Sequence, residues 1–140
     1  MKLIASAADL DEVRSQPRAL VFIDVKWSIQ ARRSDAACRD FLKILHRESP
    51  REEIPVYLLD LSEQEGDVWL STREWLREEG QPHDSLCYGG YGAMLWVRSG
   101  TVAAYVPYLA EIECDQLTAM TRGVFQLDSE FGSAGSTSLR

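Results

Sequence analysis

The sequence contains few cysteines and histidines, and none of them stands in a spacing that is typical of a chemical site. Cys38, Cys87 and Cys114 are spread along 140 residues, an odd number without the close pairs of a zinc site or a disulfide framework. His46 and His83 are isolated in the same way. We therefore expect free thiols, a reducing compartment and a cytoplasmic location, and we expect neither a metal ion nor a cofactor to be bound.

Long apolar runs and an excess of basic residues are also missing. No stretch approaches the ~20 apolar residues of a membrane span. The N-terminal segment MKLIASAADLDE lacks the ~7–15 consecutive apolar residues of a secretory signal. The chain carries 15 basic and 22 acidic side chains, a net charge of −7, whereas non-specific binding to nucleic acid or to anionic membranes needs a basic surface. We therefore expect no nucleic acid or membrane partner.

The apolar pattern of the first 125 residues predicts a complete domain. In order, it indicates a strand at 1–4, a helix at 7–15, a buried strand at 19–25, a helix at 28–48, a strand at 54–60, a helix at 66–80, two strands joined at Ser99-Gly100 and a helix at 111–125. The order β-α-β-α-β-α-β-β-α predicts an α/β fold in which a central mixed sheet carries helices on both faces. Residues 126–140 lack apolar periodicity and are expected to form a disordered tail.

Three stretches of the sequence resemble the thioredoxin family, and together they span about residues 1–125. The stretch ALVFIDVKWS is similar to the strand before the family's Trp-Cys-Gly-Pro-Cys turn, with Trp27 on its tryptophan. IPVYLLDLSEQ resembles the central strand that ends in Asp, here Asp60. YGAMLWVRSGTVAAYV resembles the closing hairpin, with Gly100 on the turn glycine. The resemblance implies a thioredoxin-like fold for residues 1–125.

The residues that would carry the family's activity are replaced. Ser28 and Ala31 stand where the two cysteines belong, with Ile29-Gln30 between them, and Phe22 stands where the family has a buried acid. Dithiol exchange needs one thiolate that attacks and a second thiol that resolves the mixed disulfide. We therefore expect no dithiol oxidoreductase activity and assign no catalytic residue. Gly92 takes the place of the cis-proline, which would leave the backbone there accessible for pairing with an extended peptide.

Ser28 has two interpretations. It can cap the helix that follows, because a serine hydroxyl accepts a hydrogen bond from a first-turn N–H group, and we favour this role. Alternatively, it can hold an anion such as a glutathione thiolate, as serine does in some glutathione-transferase relatives of this fold, with Arg32 and Arg33 nearby. A nucleophilic serine needs an adjacent base, and no histidine lies close to Ser28 in the sequence.

The cysteines outside the turn offer one alternative site. Cys38 falls on the apolar face of a predicted helix, where a thiol is inert. Cys114 is surrounded by acidic residues, which oppose thiolate formation. Cys87, in a glycine-rich loop five residues before Gly92, is the best candidate for an exposed thiol. The glycines of that loop indicate unusual backbone angles rather than a phosphate site, since no P-loop lysine follows them.

Two main functions follow from these observations. The first is a redox-inactive thioredoxin-like domain that binds a protein partner through the former active-site groove, because Trp27, Ile29 and Tyr91 would form an apolar patch if they were exposed together. The alternative is a non-standard thiol enzyme or glutathione-linked enzyme that uses Cys87 or Ser28. A third possibility is a structural subunit in which neither feature matters. The predicted binding residues are Trp27, Ser28, Ile29, Gln30, Ala31, Tyr91 and Gly92.

Overall fold

A computed structural model describes residues 1–63, 66–83 and 90–127 of the chain. Within these ranges the elements are β1 (Lys2–Ile4), α1 (Ala7–Ser15), β2 (Arg18–Asp24), α2 (Ile29–Glu48), β3 (Val56–Asp60), α3 (Asp67–Glu78), β4 (Ala93–Arg98), β5 (Thr101–Val106), a 3₁₀ turn at Leu109–Glu111, and α4 (Cys114–Phe125). The order of strands and helices is the one predicted from the apolar pattern, and the chain is an α/β protein.

The strands form one mixed sheet in the order β1-β3-β2-β4-β5. The strands β1, β3 and β2 run parallel to one another, whereas β4 pairs antiparallel with both β2 and β5. In the parallel part, Asp24 at the end of β2 lies beside Asp60 at the end of β3. The carboxyl ends of the two inner parallel strands therefore meet at the same edge of the sheet.

The sheet buries one apolar core on each face. Val21 and Ile23 of β2 point into the core that α1 and α3 cover. Leu20 and Phe22 point into the core that α2 and α4 cover. Successive side chains of a strand point to opposite faces, so a continuous apolar strand such as β2 is expected where both faces are covered. Phe22 fills the second core as an ordinary apolar residue.

The tryptophans at 69, 75 and 96 belong to these cores. Trp69 and Trp75 are buried in the first core. Trp96 is fully buried in the second core. Its indole Nε1–H donates to Thr121 Oγ1 over 2.8 Å, which satisfies the polar atom of a ring that carries a large apolar area.

Helix α3 and the closing hairpin end in the turns that the sequence predicts. Gly80 has φ +69°, and its N–H donates to the Arg77 carbonyl while the Gln81 N–H donates to the Leu76 carbonyl, which is the Schellman pattern of a helix C-terminus. Ser99 and Gly100 both have positive φ, 51° and 82°. Two such residues form the tight turn that matches the twist of a β-hairpin.

The C-terminal part of the domain differs in detail from the prediction. The last helix begins at Cys114, not at residue 111, because Leu109 is fully buried and its segment forms a separate 3₁₀ turn. Leu127 packs into the second core, two residues beyond the predicted end of the domain. The predicted tail from residue 128 onward lies outside the described residues.

None of the helices in the described ranges combines the length and the apolar character that crossing a bilayer requires.

Two left-handed glycines provide a matched test of the hairpin. A Cβ atom on Gly100 would lie 3.0 Å from the Arg14 carbonyl oxygen, whereas one on Gly80 would meet nothing within 4 Å. We expect Gly80→Ala to cost about 1 kcal/mol, since only backbone strain is added, and Gly100→Ala to cost about 2 kcal/mol. Urea denaturation of the two variants measures the difference. Equal losses of stability in the two variants would show that the Arg14 backbone can move away from the new methyl group without a cost in free energy.

Candidate functional site

A tight turn joins β2 to α2. The strand ends at Asp24, the Ser28 N–H donates to the Val25 carbonyl over 3.0 Å, and the helix begins at Ile29. Trp27 and Ser28 therefore lie at a strand-to-helix junction, as the sequence predicts. Four residues connect the two elements, so residues 27–29 lie between the end of the sheet and the start of the helix.

Ser28 is the N-cap of α2, as predicted. Its Oγ accepts a hydrogen bond from the Ala31 N–H over 3.2 Å and donates to Gln30 Oε1 over 3.2 Å. The residue is only 6% exposed. His46 lies near the far end of the same helix, roughly 25 Å away at ~1.5 Å rise per residue. This hydroxyl is thus used by the fold, and His46 cannot act as its base.

A second buried serine holds the neighbouring loop against α2. Ser34 Oγ donates to the Tyr91 carbonyl over 2.8 Å and accepts a hydrogen bond from the Ala110 N–H over 3.2 Å. Its side chain is fully buried. One hydroxyl therefore links α2, the segment before β4, and the 3₁₀ turn after β5. Sequence reasoning did not identify Ser34, although its spacing with buried Ala31 and Cys38 places it on the inner helix face.

Gly92 fits where no other residue would. It has φ +83°, and a Cβ atom on it would lie 2.3 Å from Ser34 Cβ and 3.1 Å from Ala31 Cα. The described residues contain no cis peptide bond. The Gly92 carbonyl accepts a hydrogen bond from the Leu109 N–H over 3.0 Å, and the residue is buried. The expectation of an accessible backbone is thus not met, because internal donors already occupy the Tyr91 and Gly92 carbonyls.

Three large apolar side chains are exposed around the junction. Trp27, Ile29 and Tyr91 have exposed fractions of 60%, 64% and 49%, and we call these three residues the junction surface. The end of the Trp27 ring lies against Gly90, where an added Cβ would be 3.0 Å from Trp27 Cη2. The Tyr91 ring packs on Tyr108 with centroids 5.7 Å apart. These contacts bring Trp27 and Tyr91 to the same end of the sheet.

The predicted binding residues thus divide into two groups. Trp27, Ile29, Gln30 and Tyr91 present side chains to solvent, whereas Ser28, Ala31 and Gly92 are buried. The buried group can shape the site but cannot meet a partner with its side chains. Tyr108, which supports Tyr91, was not identified from the sequence, because only folding brings the two rings together.

A small apolar cavity adjoins the junction surface. Its volume is about 110 Å³, and its walls include Val25, Gly90, Tyr91, Ala93, Tyr105 and Pro107. Tyr91 is the member of the junction surface that lines this cavity.

The bonding at the ends of β2 and β3 keeps the junction in place. The Lys26 N–H donates to Ser62 Oγ over 2.7 Å, and the Lys26 ammonium lies 3.3 Å from Asp60 Oδ2. Burial opposes ionisation of Asp60, but hydrogen bonds from Ser62 outweigh it, so the pKa of Asp60 is lowered. Partial burial raises the pKa of Asp24. Asp60 thus ends β3 as an ionised carboxylate that accepts hydrogen bonds from the Ser62 N–H and hydroxyl groups.

The described thiols are not poised for reaction. Burial raises the pKa of Cys38 to about 12. The pKa of Cys114 is also raised, first by burial and then by Asp40, Asp115 and Glu113, although the residue opens helix α4. Thiolates are the reactive form, so both prefer the inert thiol, in agreement with the sequence prediction. Cys87 lies outside the described residues.

Comparison with protein families and with curated proteins found no match. No protein-family model matches the sequence, and no curated protein is significantly similar to it. In the described ranges, no three or more His, Cys, Asp or Glu side chains are arranged to hold a metal ion.

The capping role of Ser28 predicts a characteristic order of stability. At an N-cap, alanine costs about 1 kcal/mol and glycine only a few tenths, so Ser28→Ala should unfold more easily than Ser28→Gly, and both more easily than the wild type. Thermal or urea denaturation measures this order. Ser6→Ala, which removes the cap of α1, serves as the control and should lose a similar free energy. A neutral Ser28→Ala would refute the cap assignment.

The bridging role of Ser34 predicts a larger local effect. Ser34→Ala leaves the Tyr91 carbonyl and the Ala110 N–H without their partner, which we expect to cost about 1–2 kcal/mol. Amide hydrogen exchange at Ala110 should accelerate in the variant. Ser15→Ala, which removes an exposed hydrogen bond to the Glu12 carbonyl, should change stability by less than about 0.5 kcal/mol. Unchanged exchange at Ala110 would contradict the bridge.

Proposed function

We propose that this chain is a redox-inactive member of the thioredoxin-like fold class that binds another protein through the junction surface. We place the protein in the reducing cytoplasm, because Cys38 and Cys114 are free thiols and thiols stay reduced in that compartment. The protein would act there as an adaptor or as a non-catalytic subunit.

The architecture supports the fold part of the proposal. The element order, the parallel strands that carry helical crossovers and the antiparallel closing hairpin are those the resemblance implies. Trp27 lies immediately before the helix that opens after the central strand β2, which is where the family places its reactive turn. The two positions that the family fills with cysteine hold a helix cap, Ser28, and a fully buried Ala31.

The exposure of Trp27, Ile29 and Tyr91 carries the functional part of the proposal. Isolated apolar residues on a protein surface need no explanation, but grouped aromatic and aliphatic side chains mark contact sites. Tryptophan and tyrosine are also the residues that most often dominate binding energy at interfaces. Trp27 contributes little to either core, since more than half of it is exposed, so a folding role does not account for it.

The enzymatic alternative depends on Cys87 or on Ser28. Cys87 lies outside the described residues, so its role as an exposed thiol stays a prediction. A catalytic Ser28 is disfavoured, because its hydroxyl is buried and occupied by hydrogen bonds.

Affinity capture from the native cell extract tests the binding function. The tagged wild type should retain a partner that Trp27→Ala/Ile29→Ser loses at least tenfold, because two exposed apolar anchors are removed. The matched control is Leu3→Ser/Leu70→Ser, which removes two other exposed apolar side chains and should capture the partner as the wild type does. Denaturation curves of both double variants show whether they remain folded.

Two results would contradict the proposal. The first is equal capture by the wild type and the junction variant, which would leave a structural subunit as the better description. The second is reduction of insulin disulfides, or conjugation of glutathione, that Cys87→Ser abolishes. That result would assign the chain to the enzymatic alternative.

A further inference from the structure

Two exposed arginines, Arg32 and Arg33, lie beside the junction surface on helix α2. Arg32 and Arg33 follow Ile29 by three and four residues on α2, so both are its neighbours on the helix surface. Both side chains are exposed. Within the described ranges neither forms an ion pair or a hydrogen bond, since Asp35, the nearest acid in the helix, pairs with Arg39.

The position of these arginines is not explained by helix stability. Helices α1, α3 and α4 each have an acidic residue in the first turn, whereas α2 has none. Cations near a helix N-terminus oppose the helix dipole and so destabilise the helix slightly. The charge is also opposite to that of the whole chain, which is −7. Arg32 and Arg33 thus create a local positive rim beside Ile29.

The size and bonding of the site restrict what can occupy it. Stable interfaces between folded proteins use about 20–30 residues a side, and the junction surface offers three large apolar side chains, so a short segment fits better than a broad face. The carbonyls of Tyr91 and Gly92 already accept internal hydrogen bonds. Recognition therefore depends on the side chains of the segment.

We propose that the junction surface binds an acidic segment of the partner protein, in which an aliphatic residue packs against Trp27 and Ile29 while flanking carboxylates face Arg32 and Arg33. The inference rests on the proposed function and adds the chemistry of the partner. Burial of the aliphatic residue against Trp27 and Ile29 supplies affinity, and the arginine rim selects acidic over neutral or basic segments.

Synthetic peptides test this chemistry directly. The probes are capped peptides with the central sequences Glu-Glu-Leu-Glu-Glu, Gln-Gln-Leu-Gln-Gln and Glu-Glu-Ala-Glu-Glu, titrated into the ¹⁵N-labelled protein at about 20 mM salt. We expect the acidic leucine peptide to bind about three to ten times more tightly than the glutamine peptide, and about ten times more tightly than the alanine peptide. Shift changes should centre on Trp27, Ile29 and Tyr91. At about 0.5 M salt the preference for glutamate should disappear.

A pair of charge variants separates the rim from the net charge. Arg32→Gln/Arg33→Gln should bind the acidic and glutamine peptides equally, with the affinity for the glutamine peptide unchanged. Arg47→Gln/Arg51→Gln removes two exposed positive charges at the far end of α2, roughly 20 Å away, and should keep the wild-type preference. If both variants lost the preference for the acidic peptide equally, the proposal would be overturned, because the preference would then depend on the net charge of the protein.

Other outcomes also overturn the inference, and they are distinct from failure of the proposed function. Equal binding of the acidic and glutamine peptides to the wild type, or no shift at the junction surface with any peptide at millimolar concentration, refutes an acidic aliphatic occupant. Capture of a partner that depends on Trp27 and Ile29 would still support the proposed function in that case. If capture does not depend on these residues, both proposals fail.

Discussion

The shape of the junction depends on one buried hydroxyl group and on the absence of a side chain opposite it. Ser34 Oγ connects the Tyr91 carbonyl with the Ala110 N–H, and the Gly92 backbone approaches so closely that an added Cβ would overlap Ser34 Cβ. A side chain at position 92 would push the loop away from the helix, and the hydroxyl could then no longer reach the Tyr91 carbonyl. The location of Tyr91, and with it one wall of the small cavity, follows from this contact.

Much of the fold could be predicted because it depends on short-range patterns. The apolar run of β2, the stripe of α2 and the positive-φ pair Ser99-Gly100 each determine an element within a few neighbouring residues. The cap at Ser28 was predictable for the same reason. The prediction was wrong where a tertiary contact overrides the pattern: burial of Leu109 forms a separate 3₁₀ turn, so α4 begins at Cys114.

The candidate site was only partly predictable, because its geometry depends on distant parts of the chain. Ser34 is 57 residues from Tyr91 and 76 from Ala110, and no local pattern marks such a contact. The exposure of Trp27 and Ile29 could be anticipated from their place at a strand-to-helix turn. The burial of Gly92 and the occupation of its carbonyl could not, since both follow from the approach of the segment after β5.

In the proposed complex, a chain with a negative net charge binds a segment that is also negatively charged. A chain with a net charge of −7 repels acidic partners at a distance, but this field is screened within a Debye length of about 8 Å at physiological salt. Closer than that, an acidic segment meets Arg32 and Arg33, which are the neighbours of Ile29 on the helix surface. Attraction is therefore confined to contact, where the Ile29 side chain and the Trp27 ring also act. An acidic segment without an aliphatic residue gains too little there to remain bound, so both features of the segment are needed for selection.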